Sequence, residues 1–390
     1  MEPLSTFEII GMCLWQLGPV WVALVLTFVL SIRFKRRLGL YGKLFDNPVG
    51  MVGFALVMFW VYAAVFAGGF GWMVTHDTLS QFSGMKNKLP GTPLVGAGPD
   101  AYPYFLLGGD NLARDVWSRM LVGSWEVIKI APFATLFAFM VGITLGLPAG
   151  YYGGKLDLVL SFLANLILAF PVILLFYLLV TPEIVETGIP TYMAAVLFLF
   201  PIIFAVVLIN SRFHIQPATR NLYVAIAAVV GGWLYLGIAW DADPLGIISF
   251  PANLLVVFVS VVFVNAPSVF RIVRGLTMDI KTRDYVAAAQ TRGEAAWYVM
   301  LWEILPNVRG PLIVDFCLRI GYTTILLGTL GFFGLGLSPE SPDWGSTINE
   351  GRKLLSSYLH PALAPAFALL SLVLGLNLLA DGLREESLKD

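Results

Sequence analysis

Between Tyr285 and Pro306 the chain reads Y-V-A-A-A-Q-T-R-G-E-A-A-W-Y-V-M-L-W-E-I-L-P, with charges at Arg292, Glu294 and Glu303. The chemistry these residue types offer is recognition, not bond-making. Ala287, Ala288 and Ala289 make a slim helix that Gly293 can end, and Leu305-Pro306 closes a second, amphipathic helix. Tyr285 offers an aromatic anchor, while Asp284, Arg283 and Arg292 supply rim charges that fix orientation. A short helix of this kind can enter a groove on another protein. The plainer reading is a loop helix that only joins two neighbouring segments.

No pattern for catalysis accompanies it. The chain has no G-x4-G-K-[ST]; Gly153-Gly154-Lys155 lacks both the leading glycine spacing and the hydroxyl residue of a phosphate-cradling loop. It has no G-x-S-x-G, no H-E-x-x-H and no cysteine pair at metal spacing. Cys13 and Cys317 both lie in apolar runs, as packing residues do, and the three histidines show no paired spacing. The expectation is a chain without catalytic, cofactor-binding or metal-binding residues. If ATP drives its work, ATP and Mg sit on partner chains.

Composition sets the solvent. Apolar residues make up 58% of the chain and charged residues 13%, against roughly 25% charged in an average soluble domain. A membrane-crossing helix needs about 20 apolar residues, and runs of that kind recur along nearly the whole length. They predict spans at about 9–32, 49–71, 129–150, 157–180, 191–211, 222–240, 252–270, 311–337 and 361–380. The fold class is all-α integral membrane, with nine spans. The first run is not a secretory signal, because only Glu2 and Glu8 precede it, whereas Arg33, Lys35, Arg36 and Arg37 follow it.

The placement of basic residues orients the spans. Segments predicted inside hold most of them, including Lys43, Lys155, Arg212, Arg220, Arg271, Arg274, Lys281, Arg283, Arg292, Arg309, Arg384 and Lys389. Segments predicted outside hold Lys86, Lys88, Arg114, Arg119, Arg352 and Lys353, and two of their loops carry only acid, at Glu183 and Glu186 and at Asp241 and Asp243. The positive-inside rule therefore places the N-terminus out, the C-terminus in, and the Tyr285 stretch in the cytoplasm. Within the spans, Asp315 and Arg319 stand four apart on one face, where each can neutralise the other. A gate lining the pathway is the sharper alternative for that pair. In the outer segment, Asp110 to Gly123 predicts a flat-lying helix with Asp110 as N-cap, Gly123 as its end and an Asp115 to Arg119 pair.

Several stretches carry a resemblance. The Ala288-Ala289, Gly293 and Leu305-Pro306 spacing is similar to the E-A-A-x3-G-x9-I-x-L-P loop of membrane subunits of binding-protein-dependent ABC importers, with Ala287 in place of the usual Glu and Glu303 in place of the usual Ile. Asn47-Pro48-Val49-Gly50-Met51-Val52-Gly53, the run Leu107-Gly108-Gly109-Asp110-Asn111-Leu112-Ala113-Arg114-Asp115-Val116-Trp117-Ser118-Arg119, Ala149-Gly150-Tyr151-Tyr152-Gly153-Gly154 and Ala169-Phe170-Pro171 follow in order. Leu335-Gly336-Leu337, Pro342-Asp343-Trp344-Gly345 and Asn377-Leu378-Leu379-Ala380-Asp381-Gly382-Leu383-Arg384 complete the series. Together they resemble the dipeptide, oligopeptide and nickel branch of these permeases, in particular its C-type membrane subunit.

The resemblance implies a six-span type I importer core with about three extra spans. Residues 1–46 would form an N-terminal span and basic linker, and 47–390 the transmembrane domain, interrupted by a two-span insertion at about 181–251. It implies a second, B-type permease subunit, two ATP-binding subunits or domains and an extracytoplasmic solute-binding protein as partners, in a prokaryotic cytoplasmic membrane, with no nucleic acid involved. It assigns ATPase coupling to Asp284, Tyr285, Ala287, Ala288, Ala289, Gly293, Leu305 and Pro306. The competing class is an ion-driven secondary carrier, which places ionisable residues or broken helices near the bilayer midplane and shows internal repeats. Asp315 and Arg319 are the one such pair, and no repeat accompanies them.

Overall fold

The computed structural model describes residues 2–96, 98, 101–247, 250–335 and 340–387. Among these, eight helices are long and apolar enough to cross a membrane, or nine if one bent pair is a single span. In chain order the helices and strands used below are α1 (Thr6–Gln16), α2 (Gly18–Phe34), α3 (Pro48–Ala63), β1 (Thr92–Pro93), β2 (Tyr104–Phe105), α4 (Val116–Tyr152) and α5 (Gly154–Leu168). They continue as α6 (Val172–Val180), α7 (Ile189–Leu197), α8 (Leu199–Arg212), α9 (Pro217–Trp240), α10 (Ala252–Ile280), α11 (Asp284–Thr291), α12 (Arg309–Phe332), α13 (Trp344–Arg352) and α14 (His360–Ser387). The two-residue strands pair antiparallel. Residues 1–132 with 317–390 form one unit and 133–316 another.

Three expected boundaries shift, two of them at prolines. The first apolar run breaks at Leu17, and the membrane-length helix starts at Gly18 with Pro19 in its first turn, where a missing N–H costs nothing. The span expected at 157–180 is α5 and α6, bent by 81° around Pro171, whose ring cannot continue the α5 ladder. The span expected at 252–270 runs on to Ile280, so Arg271 and Arg274 lie within a helix and not in a loop. Gly336, Leu337 and Lys389 fall outside the described residues.

In the first unit, glycines let α3 and α14 touch backbone to backbone. A Cβ on Gly382 would lie 2.4 Å from the Gly50 Cα, and one on Gly53 would lie 2.3 Å from the Leu379 N. Small residues are how apolar helices gain close packing where lipid tails compete equally for any large side chain. Asn47 fixes one end of this pair. Its Oδ1 accepts from Val49 N at 2.9 Å and Gly50 N at 3.3 Å, capping α3, while its Nδ2 donates to Glu385 at 2.6 Å.

The same unit holds a buried polar network where a flat helix from Asp110 to Gly123 was expected. Asp110 closes a turn instead, accepting from Leu112 N at 2.8 Å, Arg114 N at 2.9 Å and Arg114 Nε at 2.7 Å. Asp115 is the group that starts α4, accepting from Trp117 N and Ser118 N. It also accepts from Thr75 Oγ1 at 2.6 Å and Ser118 Oγ at 2.7 Å, with His76 Nδ1 at 3.2 Å. Arg119 is not its partner: that guanidinium donates to the carbonyls of Thr78 and Ser341 and to Thr347 Oγ1. Arg114 reaches Glu350 on α13. Gly123 lies inside α4 because Trp344 presses there, its Cδ1 2.7 Å from where a Cβ would stand. The Trp344 Nε1 donates to Met120 O at 2.8 Å.

In the second unit the same device joins α4 to α10. Gly142, Gly146 and Gly150 recur every four residues on α4, and Cβ atoms there would stand 2.5, 2.9 and 2.7 Å from Val269, Val273 and Arg274. Arg274 forms a two-point pair with Asp157 at the start of α5, Nη2 to Oδ2 at 2.6 Å. Leucine in place of Gly146 or Gly382 should therefore lower the unfolding midpoint of the purified chain in detergent, by roughly 1–3 kcal/mol of overpacking. Gly275→Ala, on the same helix as Val273 but with nothing within 4 Å of the new Cβ, should leave it unchanged.

Candidate functional site

The Asp284–Thr291 stretch folds as the sequence pattern demands. Asp284 opens α11 with its negative charge in the first turn, where the helix dipole favours it. Arg292 caps the end and Gly293 takes φ +79, a left-handed conformation natural to glycine. The Glu294 N–H reaches Ala289 O at 3.3 Å and the Gly293 N–H reaches Gln290 O at 2.9 Å, the pair of bonds that defines a Schellman end.

One face of α11 is fully buried. Val286 and Ala289 pack with Val299, Met300, Leu301 and Ile304, and with Leu147, Val269 and Val273 of α4 and α10. Burying one valine side chain is worth roughly 1.5–3 kcal/mol. Two polar contacts add direction: Gln290 Nε2 donates to Tyr151 Oη at 2.8 Å, and Lys281 Nζ donates to Gly150 O at 2.8 Å and Tyr151 O at 3.3 Å. Lys281 thereby puts a positive charge on the C-terminal carbonyls of α4.

The opposite face is left open. Asp284, Ala287, Ala288 and Thr291 are exposed and share one side of the helix, with Tyr285 beside them at 38% exposure. The three alanines expected to act alike are thus divided: Ala287 and Ala288 point out, and Ala289 is 0% exposed. Burial pushes the Tyr285 phenol up, with Arg283 opposing and Glu303 adding to the shift, so the hydroxyl stays protonated and able to donate.

After Gly293 the chain re-enters a helix at Ala296–Tyr298, widens to π geometry over Val299–Ile304, and passes through Leu305–Asn307. Pro306 thus sits in the last turn of this helix, which ends one residue later at Asn307. Its missing N–H and its ring would break a regular α ladder, and the wider turn just before it absorbs both. Leu305 is half-buried against the Val286 cluster and Pro306 is exposed. Glu303, where an isoleucine is usual, accepts from Arg292 Nη2 at 3.0 Å. That bond ties the end of α11 to the helix that follows, and nothing in the eleven-residue spacing announces it. Asp315 and Arg319 lie on one face of α12, half-buried and buried respectively, outside this cluster.

A third contact was absent from the sequence reading. The C-terminal turn of α8 reaches the same segment: Trp302 Nε1 donates to Ser211 Oγ at 3.0 Å, the Arg212 guanidinium lies 4.9 Å from the Trp302 ring centre, and His214 meets Tyr298 edge to face at 5.7 Å.

The division of the alanines makes a separable pair of variants. Ala289→Trp should reduce the yield and thermal midpoint of the folded chain, since no space exists for the ring, while Ala288→Trp should leave both near wild type. Glu303→Ile should change stability by no more than about 1 kcal/mol, the scale of an exposed ion pair, as read by the same melting curves.

Comparison with known proteins bears on what this geometry serves. The family described as binding-protein-dependent transport system inner membrane component matches residues 142–385. The chain is similar to a glutathione transport system permease protein of Pectobacterium atrosepticum, at 30% identity over 72% of this chain and 70% of that one. It is similar to dipeptide transport system permease proteins of Alkalihalophilus pseudofirmus, at 26% identity over 88% of this chain and 87% of that one, and of Haemophilus influenzae, at 28% over 73% of each. A multi-pass helical chain whose residues match over this length belongs to the binding-protein-dependent transport system inner membrane components, the permease subunits of ABC importers.

Proposed function

We propose that this permease subunit lines the translocation path of an importer for peptides or a related small solute, and that α11 is its contact with a separate ATPase. The observation that carries the coupling role is the division of α11 into a buried Val286–Ala289 face and an open Asp284–Ala288 face. An exposed helix of this kind offers two alanines for close approach, Tyr285 as an anchor and Asp284 and Arg292 as rim charges. The naming of relatives after dipeptide and glutathione transport supports the solute class.

The remaining parts follow from the same reading. A second permease of B type pairs with this chain, two ATP-binding subunits or domains dock inside, and a solute-binding protein docks outside. ATP and Mg are held by the ATPases, and this chain carries no catalytic step. The N-terminus lies outside and the C-terminus in the cytoplasm of a prokaryotic cell, in the orientation that the basic residues favour. Ala287, Gly293, Leu305 and Pro306 shape the loop, and Ala288 meets the partner.

The test separates docking from folding. With the assembled importer in proteoliposomes, Ala288→Trp should retain ATP hydrolysis while solute uptake falls tenfold or more, on the order of 1.4 kcal/mol or more of lost coupling. Uptake at the wild-type rate by an Ala288→Trp complex that assembles normally removes α11 from the ATPase contact.

A further inference from the structure

Away from the loop, the second unit holds an apolar groove of about 500 Å³ between α8 and α9. Ile202, Ala205 and Ile209 line it on α8, and Tyr223, Ala227 and Gly231 on α9. The α9 lining continues to Ile238, which at a rise of 1.5 Å per residue makes it roughly 22 Å long. One leaflet occupies half of a hydrocarbon core of roughly 30 Å, so an acyl chain of one leaflet fits. The Tyr235 hydroxyl is already spent on Ala195 O at 3.0 Å. Such walls offer an extended peptide nothing to satisfy its backbone.

Charge distinguishes one end. The lining residues recur at helical spacing, and each stripe runs into an arginine one turn further on: Ile209 to Arg212 on α8, and Tyr223 back to Arg220 on α9. Because α8 and α9 form a hairpin joined at 213–216, both arginines fall at the same end. Among the described residues neither guanidinium is paired with a carboxylate. Arg212 rests on the face of Trp302, and Arg220 donates to the Asn221 side-chain oxygen at 3.1 and 3.2 Å. A ring face and an amide leave the positive charge uncompensated.

We infer that this groove is a binding site for an anionic phospholipid, with an acyl chain between α8 and α9 and the phosphate headgroup at Arg212 and Arg220. The arginine fork suits a phosphate oxygen pair, and basic residues at the membrane edge attract acidic lipid. The site adjoins the loop described above, since the Arg212 ring partner, Trp302, lies in the segment that carries Glu303 and Pro306. The inference holds whether or not α11 binds an ATPase, because it concerns a lipid and not the partner.

Native mass spectrometry of the full chain in mild detergent tests it, using phosphatidylglycerol and phosphatidylcholine with identical acyl chains. The wild type should retain phosphatidylglycerol preferentially. Replacing both arginines (Arg212→Gln with Arg220→Gln) should weaken that binding roughly tenfold or more and leave phosphatidylcholine unaffected. Ala227→Trp, which fills the groove, should remove one bound lipid of either kind. Equal retention of the two lipids by the wild type, or a preference untouched by the double variant, overturns the site. So does a cysteine at position 227 that cross-links to another protein chain in native membranes, which would mean that a helix fills the groove. Should the variants fail to fold, the unaltered chain decides: the preference must fade as salt rises, since headgroup pairing is screened, and a salt-independent preference refutes the assignment.

Discussion

The outward face of α11 depends on one buried contact, that of Val286 and Ala289 with the Val299–Ile304 turn. An eight-residue helix has too few internal hydrogen bonds to persist by itself in water. It keeps its shape because one side is held by packing, its end is closed at Gly293, and Lys281 and Gln290 tie it to the last turn of α4. The open side is rigid for the same reason. A binding surface that is ordered before its partner arrives loses less conformational freedom on binding.

Close helix approach is the second constraint, and the chain meets it in the same way in both units. Hydrocarbon offers no net gain for moving a leucine from lipid to a helix contact, so contacts gain by bringing backbones together. Gly50, Gly53, Gly375 and Gly382 do this for α3 and α14, and Gly142, Gly146 and Gly150 do it for α4 and α10. Charged groups also pair across helices where a polar partner is in reach. Asn47 with Glu385 and Arg274 with Asp157 are pairs of that type.

The helical membrane class and most spans were legible because hydropathy alone determines them. Positions where proline meets helix were less so, since one residue has several outcomes. Pro19 opens α2 and Pro171 bends α5 from α6, while Pro306 follows a π turn over Val299–Ile304 and sits in the last turn of its helix. Local spacing makes Asp110 the N-cap of a flat helix ending at Gly123, but Asp115 starts a longer helix instead, because Thr75 and His76, some forty residues earlier, complete its coordination. At the loop, the alanine pattern and Gly293 were readable from sequence. Which alanine faces inward was not, because that is set by packing against the neighbouring α10 and against α4, far along the chain.

The contacts of α8 tie the inserted spans to the loop. Phe204, Val207 and Leu208 pack into the cluster that holds Val286 and Ala289, while Ile202, Ala205 and Ile209, on its other side, line the groove. At its end, Ser211 holds Trp302 and His214 meets Tyr298. A helix placed only to pad the lipid-facing rim has no need of a hydrogen bond to the segment that anchors the loop. Any shift of Tyr298–Glu303 must break these contacts or carry α8 along, and interiors packed this tightly transmit displacement more readily than they absorb it. The α8–α9 hairpin is therefore mechanically part of the loop's support, and what occupies its groove bears on the stiffness of that support.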